Sequence, residues 1–308
     1  MNDHLIYIKK ICDRYGYPEG THEALAAAYE KIKNNHIFWK WIENYKNDAI
    51  TSDDDWKAFL SETAEAAKEY NESEYTVHLL ALILMSPHLK ELYERAGIGE
   101  EIFYDSLGDL KWKLLECIRM HGIFGTFVAH WHVRFYRMNI FSLGRLQFEI
   151  KKFGKEATVC GVSITPDTTV IGVHIPSSGK LVREEYLESY ARAEKFFSYL
   201  FPARKTIFIC NSWMLFPEHK IMLPETSGIR IFAEDYSLVE ASYSKPLQRP
   251  WPIFYNYQNA PADQLPTDTS LERAYAERYK KGLPSGMGLG VIIYENGKIL
   301  NTEKDKMV

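Results

Sequence analysis

Between residue 1 and about residue 122, apolar residues recur at the three- and four-residue spacing of amphipathic helices. Ser52 before three aspartates, and Ser86 before a proline, mark predicted helix starts. A last helix is expected over about Asp105 to His121, where Gly122 can close it in the left-handed conformation. This part of the chain is therefore predicted to be all helical.

From about Leu143 the pattern changes to alternation and to short apolar runs, which are typical of strands. Residues 145–150 alternate polar and apolar side chains, whereas 169–175 and 206–212 are nearly all apolar, as in central strands. A helix is predicted between the latter two strands, over about Arg183 to Leu200. The remaining predicted elements are strands over 158–164, 229–232, 252–257 and 290–294 and a helix over 270–281.

These patterns predict an α+β protein with an all-helical N-terminal domain over 1–125 and a mixed α/β domain over 126–308. Hydrophobic residues make up 46% of the chain and charged residues 25%, which is the composition of a globular protein. The net charge of -4 favours neither nucleic acid nor an anionic membrane as a partner. No apolar run approaches the roughly 20 residues that span a bilayer.

The N-terminus lacks the pattern of a signal peptide, and the cysteines are scattered without a CxxC pair. This usage predicts a reducing, cytoplasmic location. His130 and His132 form an H-W-H pair, but no matching carboxylate or second histidine cluster accompanies them, so no metal site is predicted.

The step from strand 169–175 into helix 183–200 is the most informative part of the chain for chemistry. Its short Ser-Ser-Gly loop places unbonded backbone amides at a helix N-terminus, where the helix dipole favours an anion such as a phosphate. Ser177 and Ser178 can add hydroxyl donors, and Lys180 a positive charge. The alternative is an ordinary capped helix, because every strand–helix unit has such a turn.

Two nucleotide-binding motifs are excluded. Gly179-Lys180 lacks the earlier glycine and the following Ser or Thr of a P-loop. The glycine run over 286–290 follows a helix and precedes a strand, which is the reverse of a dinucleotide fingerprint. Those glycines instead indicate a flexible turn or a close approach of the backbone to a neighbour.

Several runs along nearly the whole chain together resemble the bacterial acyltransferases that join a helical N-acyltransferase N-terminal domain to a GNAT-like C-terminal domain. These runs are LYERAGIGEEIFYDSLGDLKWKL (92–114), LGRLQFE (143–149), HIPSSGKL (174–181), ARAEKFF (191–197), CNSWML (210–215), SGIRIF (227–232) and LPTDTSLERA (265–274).

The resemblance implies a mixed sheet splayed open between two central strands, with acetyl-CoA or another acyl-CoA in the cleft. The pyrophosphate would lie on the amides of the strand–helix loop, and the positions that match the CoA-binding segment are Ile175, Ser177, Ser178, Gly179, Lys180 and Leu181. Ordinary GNAT enzymes carry a Q/R-x-x-G-x-G/A loop here, whereas this sequence has only Gly179.

GNAT-type chemistry is the direct attack of an amine on a thioester, which needs a base, donors for the oxyanion and an acid for the thiolate. His174 and Glu149, each at a strand end, are candidate bases; the alternatives are a structural histidine and an exposed carboxylate. Ser212 can donate to the acyl carbonyl or cap the end of its strand. Cys210 can act as a nucleophile with His174 as its base, or pack as an inert thiol.

We therefore expect an N-acyltransferase that moves an acetyl or other short acyl group from acyl-CoA to an amine of a small molecule or peptide. Because the loop contains only one glycine, an alternative is a non-catalytic binding or regulatory protein on a degenerate GNAT scaffold. A third hypothesis is a cysteine hydrolase that uses Cys210 and His174.

Overall fold

The chain divides into two units, Met1–Phe141 and Ser142–Val308. The structure is a computed structural model and describes residues 3–201, 205–244 and 249–301. The first unit is helical, as predicted. Its helices are α1 (Asp3–Tyr15), α2 (Thr21–Ile32), α3 (His36–Lys46), α4 (Asp53–Glu69), α5 (Glu74–Arg95), α6 (Glu100–Leu107), α7 (Asp109–His121) and α8 (Val133–Tyr136).

Helix α5 is the core of the first unit, since every residue from Thr76 to Ser86 is buried. The helix start predicted at Ser86 is wrong, because α5 continues through Pro87. A proline has no N–H for the carbonyl four residues earlier, which here is that of Ile83. The Ser86 hydroxyl donates to this carbonyl at 2.7 Å and so replaces the missing bond.

Two of the other predicted helix ends are confirmed, and one predicted helix start is wrong. Ser52 caps α4 as predicted, and a reciprocal bond from its own amide to the Asp55 carboxylate at 2.8 Å completes a capping box. Gly122 closes α7 with φ of 70°. The start predicted at Asp105 is wrong, because a break at Gly108 separates α6 from α7.

The second unit is the mixed α/β part. Short strand β1 (Ile140–Ser142) crosses the division between the units. The other strands are β2 (Gln147–Lys152), β3 (Ala157–Val159), β4 (Val162–Ile164), β5 (Thr169–His174), β6 (Thr206–Ser212), β7 (Ser237–Tyr243), β8 (Gly286–Glu295) and β9 (Lys298–Ile299). The helices are α9 (Arg183–Phe196), α10 (His219–Met222), α11 (Gly228–Glu234), α12 (Trp251–Phe254) and α13 (Ser270–Lys280).

The main sheet of this unit has the order β2-β5-β6-β8-β7, and β9 pairs with β8. β2 runs antiparallel to β5 along its whole length, and β6 runs antiparallel to β8 in the same way. In contrast, the parallel pair β5 and β6, both fully described, is joined only at Ile171↔Phe208 and Gly172↔Ile209. The two central strands therefore part at their carboxyl ends, which confirms the predicted splayed sheet.

The two faces of the sheet are covered differently. On one face, Tyr190 of α9 packs on Phe148 and Phe208, with ring centroids 6.0 and 4.9 Å away. On the other face, the β3–β4 hairpin contributes Val159 and Ile164 to an apolar cluster with residues of β5, β6 and β8.

Three predicted strands are wrong. Residues 158–164 form that hairpin, because Cys160 and Gly161 both take a positive φ, as a two-residue hairpin turn requires. Residues 229–232 lie in α11, where Arg230 and Glu234 form an ion pair at helical spacing. Residues 252–257 form α12 and a following 3-10 turn, and a proline in the first turn favours this helical start.

β8 begins at Gly286, four residues before the predicted start at Gly290, so the glycine run over 286–290 lies inside the strand. A Cβ on Gly286 would lie 2.3 Å from the ring of Phe216, and one on Gly288 would lie 2.3 Å from the carbonyl oxygen of Leu215. The glycines therefore permit a close approach of the segment after β6, and they do not form a turn.

Candidate active site

Glu149 and His174 lie side by side at the end of β5 where β6 has separated from it. The imidazole Nε2 of His174 is 3.0 Å from the carboxylate Oε2 of Glu149. In the β2–β5 register, Glu149 is opposite Gly172, two residues before His174, so both side chains project from one face. Both side chains are more than half buried. The two candidate bases, which the sequence placed on separate strands, are thus brought into one hydrogen-bonded pair.

Lys151 is a third member of this site and was missed from the sequence. Its Nζ is 3.5 Å from the same Oε2 of Glu149. Gly172 makes this possible, because a Cβ there would lie 2.7 Å from Cδ of Lys151. A two-residue spacing on β2 was the available signal, since it places Glu149 and Lys151 on the same face. The site thus brings a carboxylate, an imidazole and an ammonium group together on one face of the sheet.

Cys210 lies apart from this pair. Its neighbour Ile209 is paired with Gly172, so Cys210 projects from the face of the sheet opposite to His174. The thiol is buried, and burial raises the pKa of Cys210 to about 12. A protonated thiol on the far face is poorly suited to attack with His174 as its base.

Ser212 ends β6 at the mouth of the same opening. Its Oγ accepts a hydrogen bond from the backbone amide of Met214 at 3.1 Å and so caps the following 3-10 turn. That contact uses the hydroxyl as an acceptor and leaves its proton for a second partner. Of the two roles weighed for Ser212, the cap is observed. Ser212 lies two residues after Cys210 on β6, so its side chain also projects from the face opposite to His174.

The loop between β5 and α9 has the backbone geometry that an anion site requires. Gly179 has φ of 105°, which a residue with a side chain rarely adopts. Within the part of the chain that the structure describes, the amides of Ser178, Gly179, Lys180 and Leu181 have no protein acceptor. α9 itself begins at Arg183 without a side-chain cap. The donors of this turn are therefore not consumed by the protein.

The charges around that loop are mixed. Lys180 is exposed, and Arg183 donates to Asp235 at 2.8 Å. Glu184 and Glu185 occupy the first turn of α9, where carboxylates also interact favourably with the helix dipole. The loop is thus flanked by one exposed cation, Lys180, by one cation that is paired with a carboxylate, Arg183, and by two exposed carboxylates.

Over residues 3–201, 205–244 and 249–301, no group of three or more His, Cys, Asp or Glu side chains is arranged to hold a metal ion. His132 lies 3.5 Å from the carboxylate of Asp109, and both side chains are buried within the helical unit. None of the described helices is both long enough and apolar enough to cross a membrane.

Known protein families match both parts of the chain. Residues 7–138 match the model of the N-acyltransferase N-terminal domain, and residues 140–292 match the model of the GNAT-like C-terminal domain. No curated protein matches the chain in sequence.

Solved structures of acyltransferases have the same fold. One, an acyltransferase in complex with decanoyl-CoA and teicoplanin, is 25% identical over 93% of this chain and 87% of its own, with a TM-score of 0.72. A mutant acyltransferase in complex with octanoyl-CoA is 24% identical over 93% of this chain and 87% of its own, again with a TM-score of 0.72.

A helical unit followed by a sheet whose central strands part defines an acyltransferase of the GNAT-like class. The chain belongs to the family that joins an N-acyltransferase N-terminal domain to a GNAT-like C-terminal domain. The resemblance stated from the sequence is thereby confirmed, together with the α+β fold and the enzyme class. The family assignment favours an enzyme over a non-catalytic binding protein.

Proposed function

We propose that this acyltransferase transfers an acyl group from acyl-CoA to an amine of a small molecule or peptide, with the Glu149–His174 pair as the base. The observation that supports this most directly is the position of the pair. It lies at the end of β5, two residues past the last bond between β5 and β6. A thioester in the opening between these strands would therefore lie beside the pair.

In the proposed reaction the amine nitrogen attacks the thioester carbonyl carbon and forms the new C–N bond. The Glu149–His174 pair takes the proton that the nitrogen loses, because the carboxylate stabilises the imidazolium that forms. Collapse of the intermediate breaks the C–S bond, and the thiolate leaves as the CoA thiol after it takes up the proton.

The co-substrate binds, in this proposal, with its diphosphate on the amides of Ser178 to Leu181 and the pantetheine arm along the opening. The family resemblance led us to expect acetyl or another short acyl group. The similar solved structures hold octanoyl-CoA and decanoyl-CoA. The same backbone site serves either donor, because the diphosphate is common to both, so chain length must be measured directly.

The decisive experiment is release of CoA thiol from a panel that runs from acetyl-CoA to decanoyl-CoA, with small-molecule and peptide amines as acceptors. His174→Ala and Glu149→Gln are each expected to lower kcat about 10²- to 10⁴-fold, which is the usual contribution of a general base. Their circular dichroism and melting temperature are expected to remain close to those of the unmodified protein.

His36→Ala is a suitable control, because His36 is an exposed histidine on α3 of the helical unit. Calorimetry that shows no heat with any acyl-CoA would refute acyl-CoA dependence. Unchanged turnover in both the His174 and the Glu149 variants would remove the pair from the mechanism while leaving the enzyme class intact.

A further inference from the structure

The side chain of Arg145 is bound to the loop between β5 and α9. Its guanidinium donates from Nη1 to the carbonyl oxygen of Pro176 at 3.1 Å and from Nη2 to that of Gly179 at 2.9 Å. Nε donates to the carbonyl oxygen of Lys180 at 3.2 Å. One planar group thus holds three carbonyls of a five-residue stretch, which the fork geometry of arginine allows.

These contacts determine the direction of the loop amides. In a trans peptide, the carbonyl of one residue and the N–H of the next point in opposite directions. The three bonds to Arg145 therefore turn the N–H groups of Ser177, Lys180 and Leu181 away from the guanidinium. In the described chain, the amides of Lys180 and Leu181 have no protein acceptor. The result is a set of donors that face outward from the loop.

The backbone of Arg145 is in turn fixed to the helix that follows the loop. The amides of Arg145 and Leu146 both donate to Oγ of Ser189, at 2.8 and 3.3 Å. Ser189 is fully buried in α9, and its hydroxyl donates to the carbonyl of Glu185 at 2.9 Å. Arg145 therefore holds the loop in a constant orientation relative to the N-terminus of α9.

We propose that Arg145 is a positioning residue for acyl-CoA, which orients the amides of the 177–181 loop towards the diphosphate. The inference rests on the proposed function and adds a residue that acts through the loop and not on the reacting atoms. Glycine-rich loops present several amides to a phosphate through their conformational freedom. Here Gly179 is the one glycine of the loop, and a side chain supplies the orientation instead.

The test compares two donors that carry the same acyl group, acyl-CoA and acyl-pantetheine, of which the second lacks the diphosphate. Arg145→Ala is expected to lower kcat/KM for acyl-CoA by about tenfold or more, mainly through KM, because charge-assisted bonds to the diphosphate are lost. The value for acyl-pantetheine is expected to stay unchanged. A role in general stability would lower both values equally and would overturn the proposal.

Arg273→Ala is the matched control. Arg273 also donates to two backbone carbonyls, those of Thr267 and Asp268 at 2.8 and 2.9 Å, but ahead of α13. Arg273→Ala is expected to leave kcat/KM unchanged for both acyl-CoA and acyl-pantetheine. Arg145→Lys keeps the charge and loses the planar fork. Like Arg145→Ala, it is expected to lower kcat/KM for acyl-CoA and not for acyl-pantetheine. It also provides the test if the alanine variant does not fold.

The outcomes separate this inference from the function on which it rests. If the unmodified protein uses neither donor, the proposed function fails and the inference fails with it. If the unmodified protein prefers acyl-CoA and Arg145→Ala keeps that preference, only the role of Arg145 is refuted. Full activity of Arg145→Lys with acyl-CoA would mean that the charge matters and the orientation does not, which also refutes it.

Discussion

His219 should make the stability of the second unit depend on pH. It is the first residue of α10 and is 1% exposed. Nδ1 lies 3.1 Å from the carbonyl oxygen of Met214, so this nitrogen carries the proton, and Nε2 accepts from the Tyr275 hydroxyl at 2.8 Å. Burial, and secondarily the nearby charge of Arg278, lowers the pKa of His219 from 6.5 to about 4.

The sign and size of the effect follow from that shift. Below pH 6.5 the unfolded chain binds a proton that the folded protein takes up only near pH 4, so the free energy of unfolding falls as pH falls across this window. At about 1.4 kcal/mol for each pKa unit, the full loss is about 3 kcal/mol. Between about pH 7.5 and 4.5, most of it, about 2.5 kcal/mol, should be observed.

Urea unfolding at these two pH values measures the loss, but carboxylates and other histidines titrate in the same range. His219→Gln isolates the effect, because an amide can offer one donor to Met214 and one acceptor to Tyr275 without titrating. The difference in unfolding free energy between the unmodified protein and this variant should change by about 2.5 kcal/mol between the two pH values. Parallel pH curves for the two proteins would refute the reasoning.

Three further outcomes are expected. Gly288→Ala places a Cβ 2.3 Å from the carbonyl oxygen of Leu215, so it should lower stability by about 2 kcal/mol or more in thermal melts; an unchanged melting temperature would contradict the close packing. Ser52→Ala removes the capping box with Asp55 and should lower the free energy of unfolding in urea by about 1 kcal/mol. An unchanged free energy would mean that the capping box does not stabilise the protein. Cys210, fully buried, should resist iodoacetamide until the protein unfolds, so rapid labelling of the native thiol would revive the hydrolase hypothesis.

Periodicity and end signals were enough for the elements that bury one clear face. α4 begins at its serine and α7 ends at Gly122 because these signals are local, acting within one turn. The strand–loop–helix–strand unit from β5 to β6 was predicted for the same reason, since β-branched runs are bounded by turn residues there.

The failures were decided by contacts distant in sequence or by a side chain that substitutes for backbone. Pro87 predicted a helix boundary, but the Ser86 hydroxyl donates to the Ile83 carbonyl in place of the missing backbone amide, and the helix continues. The glycines of β8 fitted either a flexible turn or a close approach of the backbone, and nothing local shows that Leu215 packs on them and decides for the second. Short apolar runs such as 229–232 fit a strand or a helix equally well without knowledge of their neighbours.

The candidate site was predictable by residue and not by geometry. Glu149 and His174 each stood out as a polar residue at a strand end, but their pairing depends on the antiparallel register of β2 and β5, which no local pattern specifies. Arg145 carried no signal of its own, because its three carbonyl partners lie 31 to 35 residues further along the chain.

The burial of α5 on all sides from Thr76 to Ser86 has a consequence for how the helical unit folds. α1, α2, α3, α4, α6 and α7 all contact this one helix, so none of them has a complete apolar environment without it. We therefore expect the helices of this unit to form and melt together. The slowest amide hydrogen exchange in the unit should accordingly be found along α5, and a nick within it should release all of its neighbours at once.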